Sequence, residues 1–204
     1  MNTNKKLNIY IKIAILSAIA FILMMFEFPV VPAFPWLKID ISDMPALMGA
    51  FAFGPVAGIV IELLKNIIFI MFRGTSTGGV GELANFLIGV SFIVPASLIY
   101  HKTKTRKSAI IGMIVGTISI IIVGILANVY ILLPLFGMKM SSSQLMTYIF
   151  VGLVPINGLK AILNSGITLV LYKKLSTTIF KVQPMLTAKD LVRKKIETSD
   201  KKVS

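Results

Sequence analysis

Phe28 to Asn66 reads FPVVPAFPWLKIDISDMPALMGAFAFGPVAGIVIELLKN, and its first half sets Pro29, Pro32, Pro35, the chain's single tryptophan Trp36, Asp40 and Asp43 between two long apolar segments. Each proline fixes φ, removes a backbone donor and holds its predecessor extended, so no helix runs through these positions. Irregular backbone of this kind leaves the hydrocarbon or is packed under protein. The chain then turns helical at Asp43 and Pro45, an N-cap followed by an early helical proline, and breaks again at Gly54-Pro55. The stretch therefore predicts a shaped loop followed by a broken membrane helix: Met44 to Phe53, too short to span alone, and then Pro55 to Phe72.

Composition makes the chain an integral membrane protein. Of 204 residues 56% are hydrophobic and only 14% charged, against about 25% charged in an ordinary soluble domain. Apolar runs recur from end to end, and a span needs about 20 residues. The expected fold is an all-α integral membrane protein of six transmembrane helices, with the proline-rich stretch as an extracellular first loop. A net charge of +13 would suggest nucleic acid in a soluble protein, but the charges cluster at the ends of the apolar runs. Lys5, Lys6 and Lys12 open the chain, Lys102, Lys104, Arg106 and Lys107 lie at its centre, and a basic stretch from Lys173 to Lys202 closes it. With all three clusters in the cytoplasm the positive-inside rule is met, both termini are cytoplasmic, and the chain belongs in the cell membrane without a nucleic-acid partner. Residues 1–180 are expected to form the membrane domain and 181–204 a basic cytoplasmic tail.

Polar groups inside apolar runs are expensive and therefore informative. Ala14 and Ala18, four apart on the first span, make a small-residue face on which another helix can pack closely. Glu27, at the outer end of that span, is positioned to reach headgroups. Glu62, Lys65 and Asn66 share one helix face and can satisfy one another, either as a structural ion pair or lining a cavity. Arg73 to Glu82, RGTSTGGVGE, lacks the spacing of a nucleotide P-loop. Its bare backbone can still approach a ligand, and Glu82 and Asn85 follow at helical spacing. Asn128 is the one strongly polar side chain of the run from Ser108 to Leu133, which Pro134 is expected to stop. Asn157, Lys160 and Asn164 lie on one face of the last apolar run.

Catalysis has little to work with. There is no cysteine and a single histidine, and neither HExxH nor a G-x-S-x-G elbow is present. Asp40 and Asp43 on a loop fall short of a di-acid metal centre. What remains is a hydrogen-bonding set, Asn128, Asn157, Lys160 and Asn164, that an aromatic, proline-rich loop could cover. Amides offer donors and acceptors together and suit a neutral heterocycle with carbonyl and imide groups. The expectation is a small-solute binding protein, not an enzyme, with no metal or cofactor.

Three motifs carry a resemblance: FPxxPxFPxLKxDxSDxPALxGAFxxGPxAG, GTSTGGVGELANF, and the late Asn157-x-x-Lys160. They resemble the substrate-binding S components of energy-coupling factor (ECF) vitamin transporters, the riboflavin-specific branch, over about residues 8 to 176. The resemblance implies a six-helix protein that captures riboflavin, as transported substrate, from outside. It also implies that transport requires a transmembrane T component and two ATP-binding subunits. By the same resemblance Asn128, Asn157 and Lys160 bind the flavin ring, the segment Leu37 to Asp43 closes above it, and Glu82 and its loop add contacts. Ala14 and Ala18 become the docking face for the T component. An S component for another vitamin, a self-sufficient ion-coupled transporter using Glu62, Lys65 and Lys160, and a membrane-embedded enzyme are the rivals.

Overall fold

The computed structural model describes residues 3–75, 77–178 and 180, with side chains from Lys6 onward; the expected tail, 181–204, lies outside the described residues. The described chain builds helices α1 (Thr3–Met24), α2 (Asp43–Phe53), α3 (Pro55–Arg73), α4 (Val80–Thr103), α5 (Arg106–Leu135) and α6 (Ser142–Thr178). Five are long and apolar enough to cross a membrane, and α2 is the exception. Large apolar side chains cover the outside of the bundle, among them Val56, Phe72 and Val170, each at least 70% exposed. In water such a surface would be a liability, whereas lipid tails solvate it.

The proline-rich stretch is not helical in the structure. It makes a short antiparallel hairpin, β1 (Phe28–Pro29) against β2 (Lys38–Ile39), with Phe28 opposite Ile39 and Pro29 opposite Lys38. Turn bonds from Phe34 N to Val31 O and from Leu37 N to Phe34 O, both 2.9 Å, close its tip. Leu37 and Ile39 point inward and are buried. At the start of α2 the cap shifts by one residue from the expected Asp43: Ser42 precedes the helix without a side-chain capping bond, and Asp43 is its first residue. The reason is competition, because Lys65 Nζ donates to Ser42 Oγ at 2.9 Å and to Asp43 Oδ1 at 2.7 Å. Between α2 and α3, Gly54 takes φ +106°, a conformation that side chains strongly disfavour, and Pro55 starts the next helix.

Pro155 does not stop its helix, whereas α5 ends at Leu135, one residue beyond the expected stop at Pro134. Each proline is preceded by a π-helical turn, Asn128–Leu132 in α5 and Tyr148–Leu153 in α6. A proline clashes with the carbonyl four residues back and withdraws a donor; a π-bulge re-registers the ladder ahead of each, and α6 then continues to Thr178. Both bulges lie beside the cavity described below, and Asn128 and Tyr148, the first residues of the two, are hydrogen-bonded at 2.7 Å.

Helices α4 and α5 form the most extensive packing pair. A Cβ on Gly112 would come within 2.5 Å of Ala96 O and one on Gly116 within 2.6 Å of Phe92 O, so glycine is what lets these backbones meet. The bundle has two distinct ends. At one end Phe51, Tyr100 and Tyr172 pack with centroids 4.5 to 6.1 Å apart, His101 Nε2 lies 2.9 Å from Ala50 O, and Lys12 Nζ donates to Phe180 O. The hairpin and the loops after α3 and α5 gather at the other, which we call the loop end.

Candidate functional site

Below the loop end a cavity of about 370 Å³ opens between the hairpin, α3, α4, α5 and α6. Its apolar wall comes from Phe69 of α3, Ala84 and Ile88 of α4, and Leu132, Leu153 and Ile156 beside the two bulges. Seven of the nine residues expected to bind a ligand line it: Leu37, Asp40, Glu82, Asn85, Asn128, Asn157 and Lys160. Asp43 and Asn164 do not. Both are wholly or almost wholly buried behind the lining, Asp43 against Lys65 and Lys160, and Asn164 with its Nδ2 toward the carbonyls of Lys160 (2.8 Å) and Asp40 (3.4 Å). Ala14 and Ala18 sit elsewhere, exposed on the outer face of α1.

The polar groups of the cavity differ in how much of their capacity the protein already uses. Asn128 is nearly spoken for, since its Nδ2 donates to Gly124 O at 2.8 Å and its Oδ1 accepts from the Tyr148 hydroxyl. By contrast Asn157 Nδ2 and Asn85 Oδ1 are buried with no partner among the described residues. Burial without a hydrogen bond costs roughly 1–3 kcal/mol, so such atoms in a cavity wall are poised for a ligand. A close approach positions Asn157: the Gly124 Cα faces it so tightly that a Cβ there would lie 2.5 Å from its Nδ2.

Lys160 reaches the cavity from α6 between two carboxylates, Asp43 Oδ2 at 3.2 Å and Asp40 Oδ2 at 3.3 Å. Burial alone would raise the Asp40 carboxyl, but the ammonium groups of Lys160 and Lys65 outweigh it and hold the group at about 2. Asp40 therefore stays ionised, and its share of the stability is lost only as the pH falls from the ordinary carboxylate value toward 2. Behind Lys160, Lys65 pairs with Asp43 and with Glu62, each at 2.7 Å, and all three are buried. The shared face of Glu62 and Lys65 is thus a real ion pair. It lies in the bundle interior, and neither residue lines the cavity. Among the described residues no three His, Asp or Glu side chains gather as a metal site.

Several residues of the site carried little signal in the sequence. At the mouth, Glu27 Oε1 accepts from Lys38 Nζ at 2.6 Å and from Arg73 Nη1 at 3.2 Å, tying the end of α1 to the hairpin and to the end of α3. Glu27 was expected to reach headgroups; two cations brought to it by folding hold it instead. Glu82 Oε2 accepts from the hydroxyls of Thr75 (3.0 Å) and Thr77 (3.1 Å) in the glycine-rich loop. Over the cavity, Trp36 Nε1 donates to Tyr148 Oη at 3.3 Å, and Phe34 packs edge-on to Tyr148 at 4.9 Å. Tyr148 carried no signal in the sequence, because Phe34 and Trp36, which it meets over the cavity, are more than 100 positions away.

Comparison with known proteins bears on this geometry. A family model described as the substrate-specific component of ECF transporters matches residues 7–172. The riboflavin transporter RibU of Staphylococcus aureus (strain TCH60) is 40% identical over 192 residues, covering 89% of this chain and 100% of that protein. The riboflavin transporter FmnP of Bacillus subtilis (strain 168) is 34% identical over 174 residues, 82% of this chain and 91% of its own. Among solved structures, one described as the S component of a bacterial ECF transporter superposes with a TM-score of 0.72 at 41% identity, over 86% of this chain and 98% of that one.

Proposed function

The chain belongs to the substrate-specific components of ECF transporters, and on that premise we propose that its cavity binds riboflavin and delivers it for uptake. The observation that carries the reading is the pair of buried amide atoms without a partner among the described residues, Asn157 Nδ2 and Asn85 Oδ1, in the wall of a cavity that also has an apolar side. An isoalloxazine ring needs such a lining. Its dimethylbenzene side is apolar and fits Leu132, Leu153 and Ile156, while its pyrimidine edge carries two carbonyls and an imide N–H. Asn157 and Lys160 supply donors to the carbonyls, and Asn128 and Asn85 supply amides for the imide. The hydroxylated ribityl chain then runs toward Glu82 and the threonines of the mouth. Leu37 and Asp40 close the site from the hairpin, while Asp43 and Asn164 support it from behind.

Orientation and partners follow from the same premise. The loop end faces outward and the opposite end the cytoplasm. Lys102, Lys104, Arg106, Lys107, Lys173 and Lys174 are exposed at that opposite end, in keeping with the positive-inside rule. Six passes put both termini in the cytoplasm of a cell-membrane protein. The exposed small-residue face at Ala14 and Ala18 is the docking surface for the T component, and two ATP-binding subunits supply the energy. Riboflavin is cargo, and no chemistry is performed on it.

Uptake of labelled riboflavin into proteoliposomes tests the assignment. It is expected only when this chain is reconstituted together with a T component and both ATP-binding subunits and ATP is present. Ala14→Leu with Ala18→Leu should abolish that uptake while leaving riboflavin binding unchanged, because the bulk falls on the outer face of α1. ATP-independent uptake by this chain alone would contradict the assignment and favour a self-sufficient carrier.

A further inference from the structure

Lys65 stands behind the cavity, wholly buried and absent from its lining. Its ammonium donates to Asp43 Oδ1 at 2.7 Å and to Ser42 Oγ at 2.9 Å, and it lies 2.7 Å from Glu62 Oε2 as an ion pair. The other oxygen of Asp43 faces Lys160 at 3.2 Å, and Asp40, at 3.3 Å, is the far partner of Lys160. Glu62, Lys65, Asp43, Lys160 and Asp40 therefore alternate in sign along one line. That line crosses α3, the start of α2 with the loop before it, and α6.

The alternation matters because Lys160 can serve a ligand only with donors that the carboxylates leave over. Lys65 occupies one oxygen of Asp43, so a single oxygen of Asp43 is presented to Lys160. Without that charge both oxygens turn on Lys160, and three buried carboxylates share one ammonium, which is drawn back from the cavity. Ser42 is released at the same time. Its backbone N–H holds Asp40 Oδ1 at 2.7 Å, so the loop end that carries Asp40 loosens too. From this geometry we propose that Lys65 is a positioning residue for the ligand site: it touches no ligand, and by holding Asp43 and Ser42 it sets where Lys160 and Asp40 face the cavity. The proposal rests on the riboflavin reading above.

Riboflavin titrations of the detergent-purified full chain test it, followed by quenching of flavin fluorescence. Lys65→Met should weaken affinity by about tenfold or more. In an Asp43→Asn background the same substitution should change affinity by less than about threefold, because the Asp43 charge that carries most of its effect is gone and only the contact with Ser42 is left to lose. Lys65→Arg, which keeps the charge, should recover part of the loss. If Lys65 only fills space, the loss persists undiminished beside Asp43→Asn. That result, or wild-type affinity in a folded Lys65→Met chain, would overturn the proposal. Where Lys65→Met does not fold alone, the comparison within the Asp43→Asn background decides. A wild-type chain without quenching overturns the riboflavin reading and this proposal with it, whereas wild-type binding with indifferent variants overturns this proposal alone.

Discussion

Asn157 carries a donor that the described residues leave unused. Its Nδ2 is buried without a partner among the described residues, so Asn157→Leu removes a donor that the ligand-free fold pays for and does not use. Ligand-free thermal stability should stay unchanged or rise by about 1 kcal/mol, while riboflavin affinity falls by roughly ten- to a hundredfold. Loss of stability without loss of affinity would take Asn157 out of the site. The contrast with Lys160 is instructive, since truncating that residue strips Asp40 and Asp43 of a buried partner and strikes fold and site together. Both residues were legible in the sequence, because polar groups three apart inside an apolar run have few innocent explanations. Tyr148 and the Glu27 triad were not: their meaning comes from partners supplied by other elements.

At the scale of elements, the hairpin is held over the cavity at two places, by aromatic packing of Phe34 and Trp36 on Tyr148 and by the Glu27 to Lys38 contact. The ion pair is partly exposed, with Lys38 at 37%, and exposed pairs contribute little, about 0–1 kcal/mol. The aromatic contact is therefore the stronger tie, and Trp36→Ala should speed riboflavin dissociation about tenfold with a smaller change in association. Stopped-flow quenching measures both rates; an unchanged dissociation rate would mean the hairpin is retained by something other than Trp36. Helix ends show where sequence reading runs short. Gly54-Pro55 was legible because that pair has one conformational use, and the turn is there. Pro134 was read as a stop and α5 ends one residue beyond it, at Leu135, but the π-bulge ahead of it, Asn128–Leu132, had no signal in the sequence.

For the whole molecule, the membrane-embedded helical fold was readable from composition and run lengths alone, since lipid leaves few ways to satisfy a backbone. What composition could not supply is the arrangement that makes one cavity from a hairpin and four helices. Close approaches such as Gly112 on Ala96 and Gly124 on Asn157 set that arrangement, and a glycine in an apolar run does not announce its neighbour. The motifs carried further than the physics here, because they pointed to the family in which this arrangement recurs.

The measurement that bears most directly on the account is a riboflavin titration of the detergent-purified chain by fluorescence quenching, with thiamine and biotin in parallel. Saturable, tight quenching by riboflavin, undisturbed by an excess of either other vitamin, is the predicted result. A folded, monodisperse chain that leaves riboflavin fluorescence unchanged, or whose signal thiamine or biotin competes away, would contradict the assignment of this cavity to a flavin.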